Sequence, residues 1–305
     1  MKRTSQLLLI IFGLALLLVY ACGPRQNTAT PQSVKKIFKT PPVPSVISDP
    51  EQKLQYQLTH FWDLFDFADS VWIKEPQIAD AFAYYTSLLH QVPSAKAQES
   101  LRQLVQHAAA HDSTFLQVLS LANKFIYNPN APYHHDENYL YLIELVYDAP
   151  CIPDSTRSIL QSRHEMLAKN RVGTRATNFS FETLQGTKHL YDFRSPMTIV
   201  YFYNPGCPAC EELSGRLAAI PPLQEYLRDK KIMLLSICME ADLQAWIQNK
   251  KHSELWVDGY DSANLLHTQR LYDLKAIPCL YLLGKNHEVI LKDPTLEEMM
   301  QRIFQ

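Results

Sequence analysis

Two cysteines three positions apart, Cys207 and Cys210, are the residues whose types and spacing best suit covalent chemistry. They lie in Asn204-Pro-Gly-Cys207-Pro-Ala-Cys210-Glu-Glu-Leu213, directly after the apolar run Met197-Thr-Ile-Val-Tyr-Phe-Tyr203. The run reads as a buried strand and the Pro/Gly pair as a turn. Pro208 suits the first position of a helix, where its missing N–H would have had no partner. In that frame the Cys207 sulfur faces free backbone N–H groups and the positive end of a helix dipole, and both favour a thiolate. Cys210 stands one helical turn further on, within reach of the same sulfur, and deeper, so it should hold its proton until it is needed. That asymmetry assigns Cys207 as the nucleophile and Cys210 as the resolving thiol of a thiol–disulfide exchange, together a redox-active disulfide.

A C-x-x-C pair has other uses. Half of a zinc site has this spacing, but zinc requires two further ligands. No second C-x-x-C and no H-x3-5-H pair accompanies it, and His134 and His135 are adjacent, a spacing that does not converge their side chains. No metal and no bound cofactor is therefore expected. Two rival readings stay open: an envelope-protein binding module whose pair is a structural or vestigial disulfide, and a chaperone holding a soft metal between Cys207 and Cys210.

A second element, Ala276-Ile277-Pro278-Cys279-Leu280-Tyr-Leu-Leu-Gly284, follows about seventy residues later, just before a strand-like run. The arrangement from Val172 to Gln305 closely resembles the thioredoxin fold. It is most similar to the exported TlpA/ResA-like thiol–disulfide oxidoreductases, in particular lipoproteins with an N-terminal helical domain of unknown function. Phe61-Trp-Asp-Leu-Phe-Asp-Phe67, Asn128-Pro-Asn-Ala-Pro132, Lys169-Asn-Arg-Val-Gly-Thr174 and Asn204-Pro-Gly-Cys207 carry that second likeness. The resemblance implies that Pro278 is cis and faces the cysteine pair, and that the backbone at Ile277 and Pro278 binds an extended substrate segment. The chain also departs from the pattern. Gly206 stands where thioredoxin has Trp, Tyr201 where it has a buried acid, and Leu213 where some exported reductases have Glu. Glu211 and Glu212 are expected to face solvent. Cys210 is thus left without an evident base, which leaves the direction of exchange open between reductant, isomerase and oxidant, with a lean towards the first two.

The elements that must position these residues are legible in outline. At 305 residues, 47% hydrophobic and 20% charged, the chain has room for two ordinary globular cores. A net charge of −2 gives no basis for nucleic-acid binding, and six cysteines are too few for a disulfide-stapled scaffold. Lys2 and Arg3, the apolar stretch Leu7 to Val19 and the stop at Tyr20-Ala21-Cys22-Gly23 read as an export signal over residues 1–21. Its end resembles the lipobox of bacterial lipoproteins, which implies lipidation of Cys22 and a periplasm-facing protein anchored in a membrane. An uncleaved signal anchor is the rival.

Residues 22–50, rich in Pro, Thr, Ser and Gln, read as a flexible tether. Residues 51–170 read as an all-α bundle of five or six helices. Phe115, Leu119, Ala122 and Ile126 form one apolar stripe and Tyr139, Leu142, Ile143 and Val146 another, with breaks at Pro76, Pro93, 128–130 and 150–153. Residues 171–305 read as an α/β thioredoxin-like domain, a central mixed sheet flanked by helices. Strands are expected at 197–203, 232–238, 279–283 and 289–291, and helices near 208–218, 240–250, 263–273 and 295–304. The partners implied are envelope proteins bearing disulfides or thiols, the membrane through Cys22, and an unidentified thiol electron donor.

The remaining residues draw plainer expectations. Cys279 is expected near the Cys207–Cys210 sulfurs, either as a third redox partner or as a core thiol on a buried strand, and the second is favoured. Cys238 is taken as core, and Cys151 as a thiol in a helix–helix loop. Phe61, Trp62, Phe65 and Phe67 are expected in a core. His134, His135, Asp136 and Glu137 are expected to cap a helix and bear nothing else.

Overall fold

The computed structural model describes residues 36–249 and 254–305. The signal segment 1–21, Cys22 and the first part of the tether lie outside the described residues. Among the described residues, no helix is long and apolar enough to cross a membrane.

The first region is all helical. Helices α1 (Pro50–Thr59), α2 (Pro76–His90), α3 (Ser94–Ala108), α4 (Asp112–Ala122), α5 (Asp136–Val146) and α6 (Asp154–Leu167) follow one another, with a π turn at Asn123–Tyr127. Prolines open several of them: Pro50 and Pro76 stand at the first helical position, and Pro93 and Pro153 are N-caps. The apolar stripes converge on one core containing Ile78, Phe82, Tyr85, Leu101, Leu119, Tyr139 and Leu142. Phe61, Trp62, Phe65 and Phe67 belong to it, as expected of four bulky residues. Phe38, read from sequence as part of the tether, packs its ring 5.4 Å from that of Trp62 and 5.5 Å from that of Phe61.

The second region is a seven-stranded mixed sheet with order β2-β1-β5-β4-β3-β6-β7. Its strands are β1 (Ser180–Thr183), β2 (Gly186–His189), β3 (Met197–Tyr203), β4 (Ile232–Cys238), β5 (Val257–Tyr260), β6 (Cys279–Gly284) and β7 (Val289–Lys292). The helices here are α7 (Pro208–Ala218), α8 (Pro221–Arg228), α9 (Leu243–Asn249), α10 (Leu265–Thr268) and α11 (Leu296–Phe304). Strand β3 is central, parallel to β4 and antiparallel to β6, and buried along nearly its whole length because both sheet faces are covered. One face carries Ile199, Tyr201 and Tyr203 against Leu217, Leu227 and Met299 of α7, α8 and α11. The other carries Val200 and Phe202 against Phe179, Phe181 and Tyr272. The expected hairpin forms between β6 and β7.

Four elements were not anticipated. Strand β2 is mostly exposed and has no alternation to read. β5 is a short Val-Asp-Gly-Tyr segment, and β1 pairs with it only at Glu182–Tyr260. Gly259 permits that crossing, since a Cβ there would come within 2.3 Å of the Phe181 ring. Helix α8 opens on two consecutive prolines, which look like a loop signal. The helix expected over 263–273 shrinks to Leu265–Thr268. Asn264 and Arg270, at φ 52° and 50°, turn the chain at either end. Residues 271–278 then run as irregular backbone into β6.

Candidate functional site

Strand β3 delivers the chain to Asn204-Pro205-Gly206, where Gly206 takes φ 69° with open space around its Cα. This left-handed turn, which a side chain would strain, sets Cys207 as the N-cap of α7. The Cys207 sulfur accepts the Cys210 N–H at 3.3 Å, so one orphan donor of the helix terminus points at it. Cys207 is half-buried, whereas Cys210 is buried. Both are thiols in this structure.

The loop before β6 faces the pair. The Ile277–Pro278 bond is cis. The Cys207 sulfur lies 3.9 Å from the Ile277 carbonyl oxygen, so residues seventy positions apart meet across the site. A cavity of about 920 Å³ opens beside them, lined by Asn204 and Ile277 and continuing past Met239, Leu266 and Leu274 to Met166 of α6.

Burial, reinforced by the neighbouring Cys207, pushes the Cys210 thiol up to about 12. The Asn204 backbone and the Tyr201 hydroxyl pull the other way. Tyr201, in the position read from sequence as that of a buried acid, has its hydroxyl donating to the Cys210 carbonyl at 2.7 Å. Burial raises its own pKa, so it is a neutral phenol and not a carboxylate substitute. Its ring stacks on that of Tyr203, with centroids 5.3 Å apart. Leu213 packs half-buried against the same cluster, and Glu211 and Glu212 are exposed as expected. The pair thus has a hydrogen-bonding phenol beneath it, and neither Tyr201 nor Leu213 supplies a carboxylate.

The other cysteines separate cleanly. Cys279 belongs to the opposite face of the sheet, with Val200, Phe202 and Tyr281. The expectation that it would lie near the Cys207–Cys210 sulfurs fails because side chains alternate along β6, so that Leu280, and not Cys279, faces their side. Burial, with Asp293 beside it, pushes the Cys279 thiol well above the ordinary range. Cys238 is buried at the end of β4 and is pushed up to about 11 by burial. Cys151 is half-buried against the helical core, with its pKa raised by burial and by Asp112. Among the described residues no group of three or more His, Cys, Asp or Glu is placed to hold a metal ion.

One expectation about the helical region is corrected. His135 does cap α5, its Nδ1 accepting the Asn138 N–H at 3.2 Å. Asp136 and Glu137, however, bear more than a dipole: Asp136 pairs with Lys275 and Lys292, and Glu137 with Arg171. Sequence reading missed this because the partners lie far along the chain, with no local signal.

Comparisons with known proteins bear on both regions. Residues 21–170 match the model of a family described as a domain of unknown function, DUF5106. A crystal structure described as a thioredoxin-like protein from Bacteroides caccae is 32% identical, with a TM-score of 0.84, covering 88% of this chain and 98% of that one. The C-terminal domain of an uncharacterized Bacteroides fragilis protein is 39% identical, covering 45% of this chain and 100% of that one, with a TM-score of 0.44. A domain described as that of a possible thiol-disulfide isomerase from Cytophaga hutchinsonii is 26% identical, covering 45% of this chain and 94% of that one, with a TM-score of 0.40. No curated protein matches the chain.

Proposed function

The chain belongs to the thioredoxin-like family, in the group with an N-terminal DUF5106 domain, and on that premise we propose that it is an exported, membrane-tethered thiol–disulfide oxidoreductase acting through Cys207 and Cys210. One observation carries the reading: the Cys207 sulfur caps a helix and faces the Ile277 carbonyl beside cis-Pro278, with Cys210 buried behind it.

In the reducing direction, the Cys207 thiolate attacks one sulfur of a substrate disulfide. The substrate S–S bond breaks, a Cys207–substrate disulfide forms, and the released substrate sulfur takes up a proton. Cys210 then gives up its proton and attacks the Cys207 sulfur. The second substrate thiol leaves, and the Cys207–Cys210 disulfide remains, two electrons having passed to the substrate. An envelope thiol donor returns them, and no bound cofactor takes part. The backbone at Ile277 and Pro278, beside the Cys207 sulfur, would pair with an extended substrate strand.

The substrates we propose are envelope proteins with accessible disulfides, reached from a membrane anchor at lipidated Cys22. The test is trapping. Cys210→Ala in the native host should accumulate mixed disulfides through Cys207, and Cys207→Ser should accumulate none. Equal recovery from both variants would contradict the proposal.

A further inference from the structure

The loop that carries the cis-proline is held from the helical region. Lys275 stands three positions before Pro278, and its ammonium pairs with the Asp136 carboxylate in the first turn of α5. Asp273 lies 3.5 Å from the same ammonium. Lys292 of β7 completes the cluster, 3.3 Å from Asp136 and 4.0 Å from Asp273. The side chains are 17%, 6%, 9% and 6% exposed for Asp136, Asp273, Lys275 and Lys292. Two carboxylates and two ammoniums therefore face one another largely out of water, where removing one partner leaves a buried charge unmatched.

The backbone just upstream is tied to the same side. Arg270 donates to the Ser162 carbonyl and hydroxyl on α6 at 3.1 and 2.9 Å. Lys169 donates to the Arg270 carbonyl, and Asn170 to that of Leu271 at 3.0 Å. Irregular loops of this length are ordinarily a fold's most mobile parts. Here the stretch from Arg270 to Lys275 is anchored repeatedly, and two residues beyond it stands Ile277, whose carbonyl faces Cys207.

We infer that the helical region serves the exchange reaction by fixing this loop, with Asp136 as a positioning residue that acts through Lys275 on the Ile277–Pro278 backbone. The inference rests on the thiol-exchange reading. It gives the helical region a role distinct from docking alone, because the loop it holds is the one that would pair with a substrate strand. A misplacement of about 1 Å at such a surface is enough to weaken productive binding severely.

Full-length wild type and variants would be assayed on two disulfides, with dithiothreitol as electron source. Insulin can pair with the loop; hydroxyethyl disulfide is too small to do so. Asp136→Asn should raise KM for insulin roughly tenfold, with kcat and the rate on hydroxyethyl disulfide changed less than about twofold. Lys275→Met, which leaves Asp136 paired with Lys292, approaches the same contact from the other side and should do likewise. Glu137→Gln removes the neighbouring pair with Arg171, which does not touch the loop, and should leave both substrates unaffected. Wild-type KM for insulin in folded Lys275→Met or Asp136→Asn would overturn the inference and leave thiol exchange standing. An equal loss on both disulfides would also overturn it, as would a KM rise in Glu137→Gln matching that of Asp136→Asn. A wild type inactive on both disulfides would remove the exchange reading and the inference together.

Discussion

The Tyr201 hydroxyl donates to the Cys210 carbonyl at 2.7 Å, beneath a thiol that burial has pushed up to about 12. A neutral phenol thus stands where thioredoxin has the buried acid that accepts the resolving cysteine's proton. Tyr201→Phe would remove the side-chain donor from a buried helical carbonyl and the downward pull on the thiol. It should destabilise the protein by about 1–2 kcal/mol and slow resolution of a mixed disulfide roughly fivefold. Stopped-flow release of the second substrate thiol measures the rate, and urea unfolding the stability. Unchanged resolution would show that the phenol is only packing.

Alkylation at about pH 7 should distinguish the five described cysteines. Half-buried Cys207 should react first and Cys151 more slowly, while Cys210, Cys238 and Cys279 stay protected by burial. Mass spectrometry of the reduced protein after a short exposure to iodoacetamide reads the order. Prompt labelling of Cys210 would contradict the nucleophile and resolving assignments.

The raised thiol pKa values make the stability of the reduced protein depend on alkaline pH. An unfolded cysteine releases its proton near pH 8.5, whereas folded Cys210 holds it to about 12 and Cys238 to about 11. Above pH 8.5 the unfolded chain therefore binds fewer protons than the folded one, and stability falls as pH rises through that window. The contribution is fully present below it. The urea midpoint of the reduced protein should drop between about pH 8 and pH 10, and by more than that of the oxidised protein, in which Cys210 has no proton to hold. Equal drops would rule out Cys210 as the source.

Cys279→Ala should retain exchange activity within about twofold, because the side chain lies across the sheet from Cys207. It should lower stability by about 1–2 kcal/mol through the lost buried sulfur. Loss of activity in a stably folded variant would restore Cys279 as a redox partner.

How much of this was legible depended on whether the cause was local. Strands β3 and β4 match their sequence limits, since each is a buried apolar run flanked by clear breaks. The turn into Cys207 and the cis bond at Pro278 lie where the motif and the resemblance put them. β2 and β5 escaped because an exposed edge and a Gly-containing tetrapeptide carry no periodicity. The Asp136–Lys275 pair spans 139 positions, so Asp136 looked like an ordinary first-turn acid. The helix expected over 263–273 ends at Thr268, just before the Arg270 and Leu271 carbonyls that Lys169 and Asn170 hold.

If Cys207 and Cys210 form a cycling redox pair, a redox titration with thiol trapping will show it. The full chain would be equilibrated in glutathione buffers of stepped potential and quenched with a mass-tagged maleimide. A single two-electron transition involving Cys207 and Cys210 is expected, with a midpoint of about −120 to −270 mV, the span of known exchange proteins, and absent in Cys207→Ser. A pair that stays oxidised under strong reductant, or one that never oxidises and retains stoichiometric metal, would contradict it.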